Sequence, residues 1–153
     1  MGVAQRVRRL AWLALALTAS APRVARSQER NRAVPEFVAG VHVTYPLGVT
    51  GMFGLAWLSR GDLGQGPFVS WEPTQSGQKG SLGWYVKDGG TLSVAASAVR
   101  TGLSVRGVDA RASYVGAEVR VGFIATLTLG AYARTGSTGN SPWMVLGGLG
   151  IQF

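Results

Sequence analysis

The sequence predicts an all-β fold: eight antiparallel strands running up and down around a closed barrel. Three observations carry this. Apolar residues recur at every second position in segment after segment, the period of a strand rather than a helix. Glycine supplies 23 of 153 residues, roughly twice its usual share, which suits a chain with many turns. Charged residues make up only 14% and hydrophobic ones 46%, odd for a soluble globule and ordinary for a barrel with one oily surface.

Three segments divide the chain: a leader at 1–27, a polar lead-in at 28–35 and a barrel domain at 36–153. Arg6, Arg8 and Arg9 precede the apolar run 10–17, and small residues follow at 18–21. That order is the n-region, h-region and cleavage region of a secretory signal peptide. The run is far short of the ~20 residues a spanning helix needs. Cleavage after Ala21 would put Pro22 first; cleavage after Ser27, with Ala25 three positions from the cut, is the alternative.

The formal charge of +8 is mostly leader. Residues 1–27 hold five arginines and no acid, so the rest carries 10 basic and 7 acidic groups, or +3. Net charge therefore gives little basis for a nucleic-acid partner. Zero cysteines exclude a disulfide scaffold, a cysteine metal site and the lipidated cysteine of a lipoprotein.

The first strand is expected at 36–45, with Phe37, Ala39, Val41, Val43 and Tyr45 on one face and His42 on the other. A turn at 46–48 leads to the second at 51–59, where Phe53, Leu55 and Trp57 oppose Met52, Gly54, Ala56 and Leu58. Residues 60–66 connect to a third strand at 67–73, poorly marked because Pro67 and Pro73 cannot donate to a ladder. The polar stretch 74–80 reads as a loop. Strands four (81–87) and five (91–99) flank residues 88–90. Opposed residues must share a sheet face. A two-residue turn would mix the faces, whereas a three-residue turn opposes Val86 to Leu92, Trp84 to Val94 and Leu82 to Ala96. Such a turn takes a left-handed glycine.

Residues 100–111 read as the longest loop. Strand six (112–123) alternates Val115, Ala117, Val119, Val121 and Phe123 with Tyr114, Gly116, Glu118, Arg120 and Gly122. A short turn at 124–126 leads to strand seven (127–134), which places Tyr132 and Arg134 on the polar parity. Residues 135–141 form a polar loop.

The last strand spans 142–153. Trp143, Val145, Gly147, Leu149, Ile151 and Phe153 share one face; the other parity is small or mixed. Twelve residues at about 3.3 Å each reach roughly 40 Å, enough to cross a bilayer at a steep tilt. A strand of this pattern ending on Phe resembles the closing strand of bacterial outer-membrane barrels, and the whole pattern resembles the small OmpA/OmpX-type barrels. The resemblance implies an eight-stranded transmembrane β-barrel in the bacterial outer membrane. It also implies lipid and lipopolysaccharide as surroundings, and an assembly machinery that reads Trp143, Leu149, Ile151 and Phe153.

Alternation alone does not say which face looks inward, since soluble lipocalin-like barrels put the apolar face inside and membrane barrels outside. Three features favour the outward choice. The loops at 74–80, 100–111 and 135–141 fall opposite the short turns at 88–90 and 124–126. Trp57, Trp84, Phe123, Trp143 and Phe153 sit near strand boundaries, as an interfacial girdle requires. Lys87, Glu118, Arg120 and Arg134 lie on the polar parity, where Glu118 and Tyr132 would face each other.

The expected site is thus a polar cluster in the lumen: Glu118, Arg120, Tyr132, Arg134 and His42. Side chains fill the interior of an eight-stranded barrel, so this cluster reads as a plug before it reads as a solute path. His42, the only histidine, reads as a hydrogen-bonded lumen residue, because no nucleophile motif accompanies it. One histidine without cysteine builds no dedicated metal site, and glycines 147, 148 and 150 precede no helix, so no cofactor is expected. Arg100, Arg106 and Arg111 read either as a solvated loop or, if that loop lies outside, as contacts to lipopolysaccharide phosphates. The expected function is non-enzymatic: envelope structure, surface interaction or limited small-solute passage. The competing class is a soluble exported barrel holding an apolar ligand inside, and a third is a lipid-acting enzyme dependent on His42. Oligomeric state is not legible.

Overall fold

The computed structural model describes residues 33–153 apart from 61, 106 and 137–140. The expected leader at 1–27, and the lead-in as far as residue 32, lie outside the described residues. Eight strands close into one antiparallel barrel in chain order: β1 (Val34–Tyr45), β2 (Gly48–Leu58), β3 (Gly64–Thr74), β4 (Gly77–Lys87), β5 (Thr91–Thr101), β6 (Ser113–Gly122), β7 (Thr126–Arg134) and β8 (Trp143–Gln152). One end carries the connections at 59–63, 88–90 and 123–125 (here the turn end). The other, the loop end, carries tight turns at 46–47 and 75–76 and the longer segments 102–112 and 135–142.

The β4–β5 hairpin has the register that face matching requires: Val86 opposite Leu92, Trp84 opposite Val94 and Leu82 opposite Ala96. Lys87 and Thr91 close it, leaving a three-residue turn in which Gly89 adopts φ +61°. That left-handed backbone carries no steric penalty only without a Cβ.

Two expectations are corrected. Residues 74–80 are not a loop: Thr74 pairs with Gly77 across a two-residue turn, and the ladder continues through Pro73–Gln78 and Glu72–Lys79. β3 is accordingly a full strand with Pro67 and Pro73 inside it. Its ladder to β4 is continuous, whereas that to β2 lacks the pairs at both prolines. The two prolines share a parity, so both direct their missing donor to the same neighbour and spare the other ladder. Likewise β1 starts at Val34, taking in Val34 and Pro35 from the expected lead-in.

The apolar parity faces outward. Val119, Leu149 and Phe153 are 42%, 60% and 78% exposed, while Glu118 is 1% exposed. The outer wall carries aromatic side chains towards both ends: Phe37, Trp57, Trp84, Phe123 and Phe153 near the turn end, and Tyr45, Trp71 and Trp143 near the loop end. Inside are two apolar clusters. One, towards the loop end, gathers Leu47, Val99, Tyr114, Tyr132, Met144 and Leu146. The other gathers Val38, Met52, Ala56, Leu58, Phe68, Tyr85 and Ala95. On β5 the polar Ser97 separates Ala95 of one cluster from Val99 of the other, and a polar layer crosses the bore at that level.

Candidate functional site

The polar layer is built from five strands, β3 to β7, and its charged members from three of them. Glu72 on β3 and Lys79 on β4 are direct cross-strand partners; Glu118 and Arg120 are two residues apart on β6 and therefore point the same way. Lys79 Nζ lies 2.9 Å from Glu72 Oε2 and 2.7 Å from Glu118 Oε2. Arg120 Nη2 pairs with Oε1 of both carboxylates. Two acids and two bases thus form a closed ring in which every member touches both members of opposite sign. All four side chains are 4% exposed or less.

Hydroxyls add hydrogen bonds to the ring's two carboxylates. Ser70 donates to Glu72 Oε1 at 3.2 Å, Ser81 to Glu118 Oε1 at 3.1 Å, and Ser97 to Ser81 at 2.9 Å. Tyr132 donates to Glu118 Oε2 at 2.7 Å. Glu118 therefore accepts from Lys79, Tyr132, Ser81 and Arg120, two donors on each oxygen. That saturates an ionised carboxylate. Removing a charge from water costs several kcal/mol, and a buried pair is tolerated only when attraction and added hydrogen bonds offset this. The ring is neutral overall and well supplied with donors.

Glu118 and Tyr132 come together as expected, but not as direct partners. Gly130 is the residue opposite Glu118, and Tyr132 reaches the carboxylate diagonally. Gly130 makes the reach possible, because a Cβ there would sit 2.7 Å from Tyr132 Cε2 and 3.2 Å from Glu118 Cβ.

Two members of the expected cluster behave differently. Arg134 does not join Glu118; it lies at the loop-end rim and pairs with Asp109 of the 102–112 segment. The rim carboxylate of Asp109 is the partner it finds at that height. His42 is in the lumen, 2% exposed, but its Nε2 has no hydrogen-bond partner, nor has Arg120 Nε. The imidazole is packed against β8, where a Cβ at Gly150 would meet His42 Cδ2 at 2.1 Å.

Glu72 and Lys79 were missed by sequence reading. The two prolines hid β3, and the composition of 74–80 hid the start of β4. The usable signal was charge pairing: a two-residue turn at 75–76 opposes Glu72 to Lys79, the favourable cross-strand combination.

Arg120, Ser70, Ser93, Met52, Phe68 and Tyr85 border an internal void of only about 10 Å³, room for about one water. A wider recess of about 450 Å³ opens at the turn end, lined by Glu36, Arg60, Asp62, Lys87 and Asp88 among others. Glu36 and Lys87 pair across its wall. Among the described residues no group of three metal-ligating side chains converges.

These features define an eight-stranded, up-and-down β-barrel with an apolar exterior and a charged, side-chain-filled bore. No family model, no curated protein and no solved structure matches the chain.

Proposed function

We propose that the chain is a non-enzymatic barrel of the bacterial outer membrane, contributing to envelope structure and surface interaction. One observation carries this reading: an apolar wall encircles the barrel while the buried charges sit inside. Each large apolar side chain left in water forfeits about 1.5–3 kcal/mol relative to burial, and patches beyond a few hundred Å² mark interaction or membrane surfaces. Hydrocarbon resolves that cost. β8, at about 3.4 Å per residue and a tilt near 45°, rises roughly 24 Å, close to the ~25 Å apolar band of such barrels.

The filled bore favours a structural role over solute passage, since the ion ring and two apolar clusters occupy the cross-section. The same filling disfavours a soluble barrel with an apolar ligand inside. His42 is enclosed where no lipid substrate reaches it, which favours a non-catalytic reading. The outward Trp143, Leu149, Ile151 and Phe153 offer the assembly machinery its recognition face, and lipid and lipopolysaccharide are the proposed surroundings.

Fractionation followed by gel migration with and without boiling tests the reading. Recovery with outer membranes and a heat-dependent shift in mobility are expected. A monodisperse protein without detergent, in the soluble fraction, would overturn it.

A further inference from the structure

The ladder between β2 and β3 is interrupted part-way along the outer wall. Thr50 pairs with Thr74 and Phe53 with Trp71, but the two positions between them, Gly51 opposite Pro73 and Met52 opposite Glu72, are not paired. Odd-numbered residues of β2 direct their backbone groups towards β3, as the bond from Gln75 N to Val49 O at 3.1 Å shows. Gly51 therefore aims its carbonyl at residue 73, where proline has no N–H to give. Pro67 takes the same donor from Trp57, but Trp57 is next to the last residue of β2, at the turn-end boundary. The Gly51 acceptor lies well inside the wall.

Its surroundings form a notch. Gly51 has the outward parity, opposite Val41, and carries no side chain to cover its own backbone. A Cβ there would find only Phe53 Cε2 at 3.6 Å and Pro73 Cγ at 3.8 Å. Towards the turn end Phe53 and Trp71 stack, with ring centroids 6.3 Å apart and planes at 28°. Trp71 is held in place by donating from Nε1 to Gln78 Oε1 at 3.5 Å. Val41 is four residues from Tyr45, so the notch lies roughly 10 Å below the loop-end aromatics at ~3.4 Å per residue and a tilt near 45°. Hydrocarbon at that depth supplies no water, and a backbone carbonyl left without a donor there is costly.

We propose that the notch at Gly51 and Pro73 binds a hydroxylated lipid. The hydroxyl of its acyl chain donates to the Gly51 carbonyl, and the chain lies along the faces of Phe53 and Trp71. This rests on the membrane reading above and adds to it a lipid class. The missing proline donor is what selects a ligand that brings its own.

The test uses the full folded chain in phosphatidylcholine nanodiscs. Gly-Met occurs once in the sequence, at Gly51-Met52, so carbonyl-13C glycine with 15N methionine isolates the Gly51 carbonyl by NMR. The discs are titrated with phosphatidylcholine bearing a mid-chain hydroxyl, its O-methyl ether, or the unsubstituted chain. The hydroxyl lipid should move the Gly51 carbonyl resonance downfield, with a preference on the order of fivefold over the ether. Pro73→Val restores the ladder N–H and should remove the response, whereas Pro67→Val should leave it unchanged. An equal response to the ether, no response to the hydroxyl lipid, or a response that survives in Pro73→Val would overturn the proposal. A water-soluble paramagnetic chelate separates the two readings. A Gly51-Met52 signal shielded from the chelate yet indifferent to the hydroxyl refutes this site alone; one broadened by the chelate puts the wall in water and refutes the membrane reading with it.

Discussion

Lys79 Nζ donates to Glu118 Oε2 at 2.7 Å although β4 and β6 are not neighbours, so the contact spans the bore over β5. The same carboxylate oxygen accepts from Tyr132, also at 2.7 Å. A single side chain on β6 thereby ties β4 to β7 through the interior, independently of the ladders that close the wall.

Neutralising one ring member should be costly, and removing an opposed pair much less so. Glu118→Gln leaves Lys79 and Arg120 sharing Glu72, one uncompensated buried charge worth about 3–5 kcal/mol. Adding Lys79→Met restores neutrality and should recover part of that loss, a coupling typical of contacting groups. Urea unfolding of the folded barrel reads both; equal stability of wild type and Glu118→Gln would refute the ring's electrostatic role.

Gly130→Ala puts a methyl against the Tyr132 ring. Overpacking of this kind costs about 1–3 kcal/mol. If the clash acts by dislodging the tyrosine hydroxyl from Glu118, Tyr132→Phe should cost less in the Gly130→Ala background than in the wild type. Additive losses in the same denaturation assay would argue against that route.

Val119→Arg places a cation on the outer wall beside Glu118's strand position. In a bilayer the change should destabilise the barrel by about 2–4 kcal/mol if it lies at the midplane. In a water-facing wall it would be nearly neutral. Comparing unfolding in vesicles with that in a water-soluble polymer carrier gives the difference, and its absence would count against a lipid-facing wall.

Among the described residues, Pro35 stands on a stretch of β1 that has no partner strand on one side. β8 pairs with β1 only from Ala39 onward, and Ala39 exchanges both backbone hydrogen bonds with Phe153. Residues of the same parity, Phe37 and Pro35, direct their backbone groups to that side beyond the reach of β8. Proline offers no donor there and blunts strand addition. Pro35→Val should raise the cross-linked dimer fraction of the folded barrel; an unchanged monomer would remove this role.

The lumen shows how far alternation carries an argument. Glu118 and Arg120 sit in a strand whose apolar partners are large and regular, so their inward direction was readable from β6 alone. Tyr132 followed from the next strand. Lys79 was not readable in the same way, because Gly77, Gln78 and Gly80 around it carry no apolar alternation, and its strand character comes from pairing with β3. Arg134 has the right parity but the wrong height, a coordinate that depends on how the strands stagger around the barrel.

Local residue order determined the number of strands, the faces of most of them and the register of the β4–β5 hairpin, because side chains alternate and glycine permits the turn. Closure decided the rest. Which charges meet across the bore depends on shear and on strands far apart in the chain, so Glu72, Lys79, Glu118 and Arg120 became one ring only when β1 met β8.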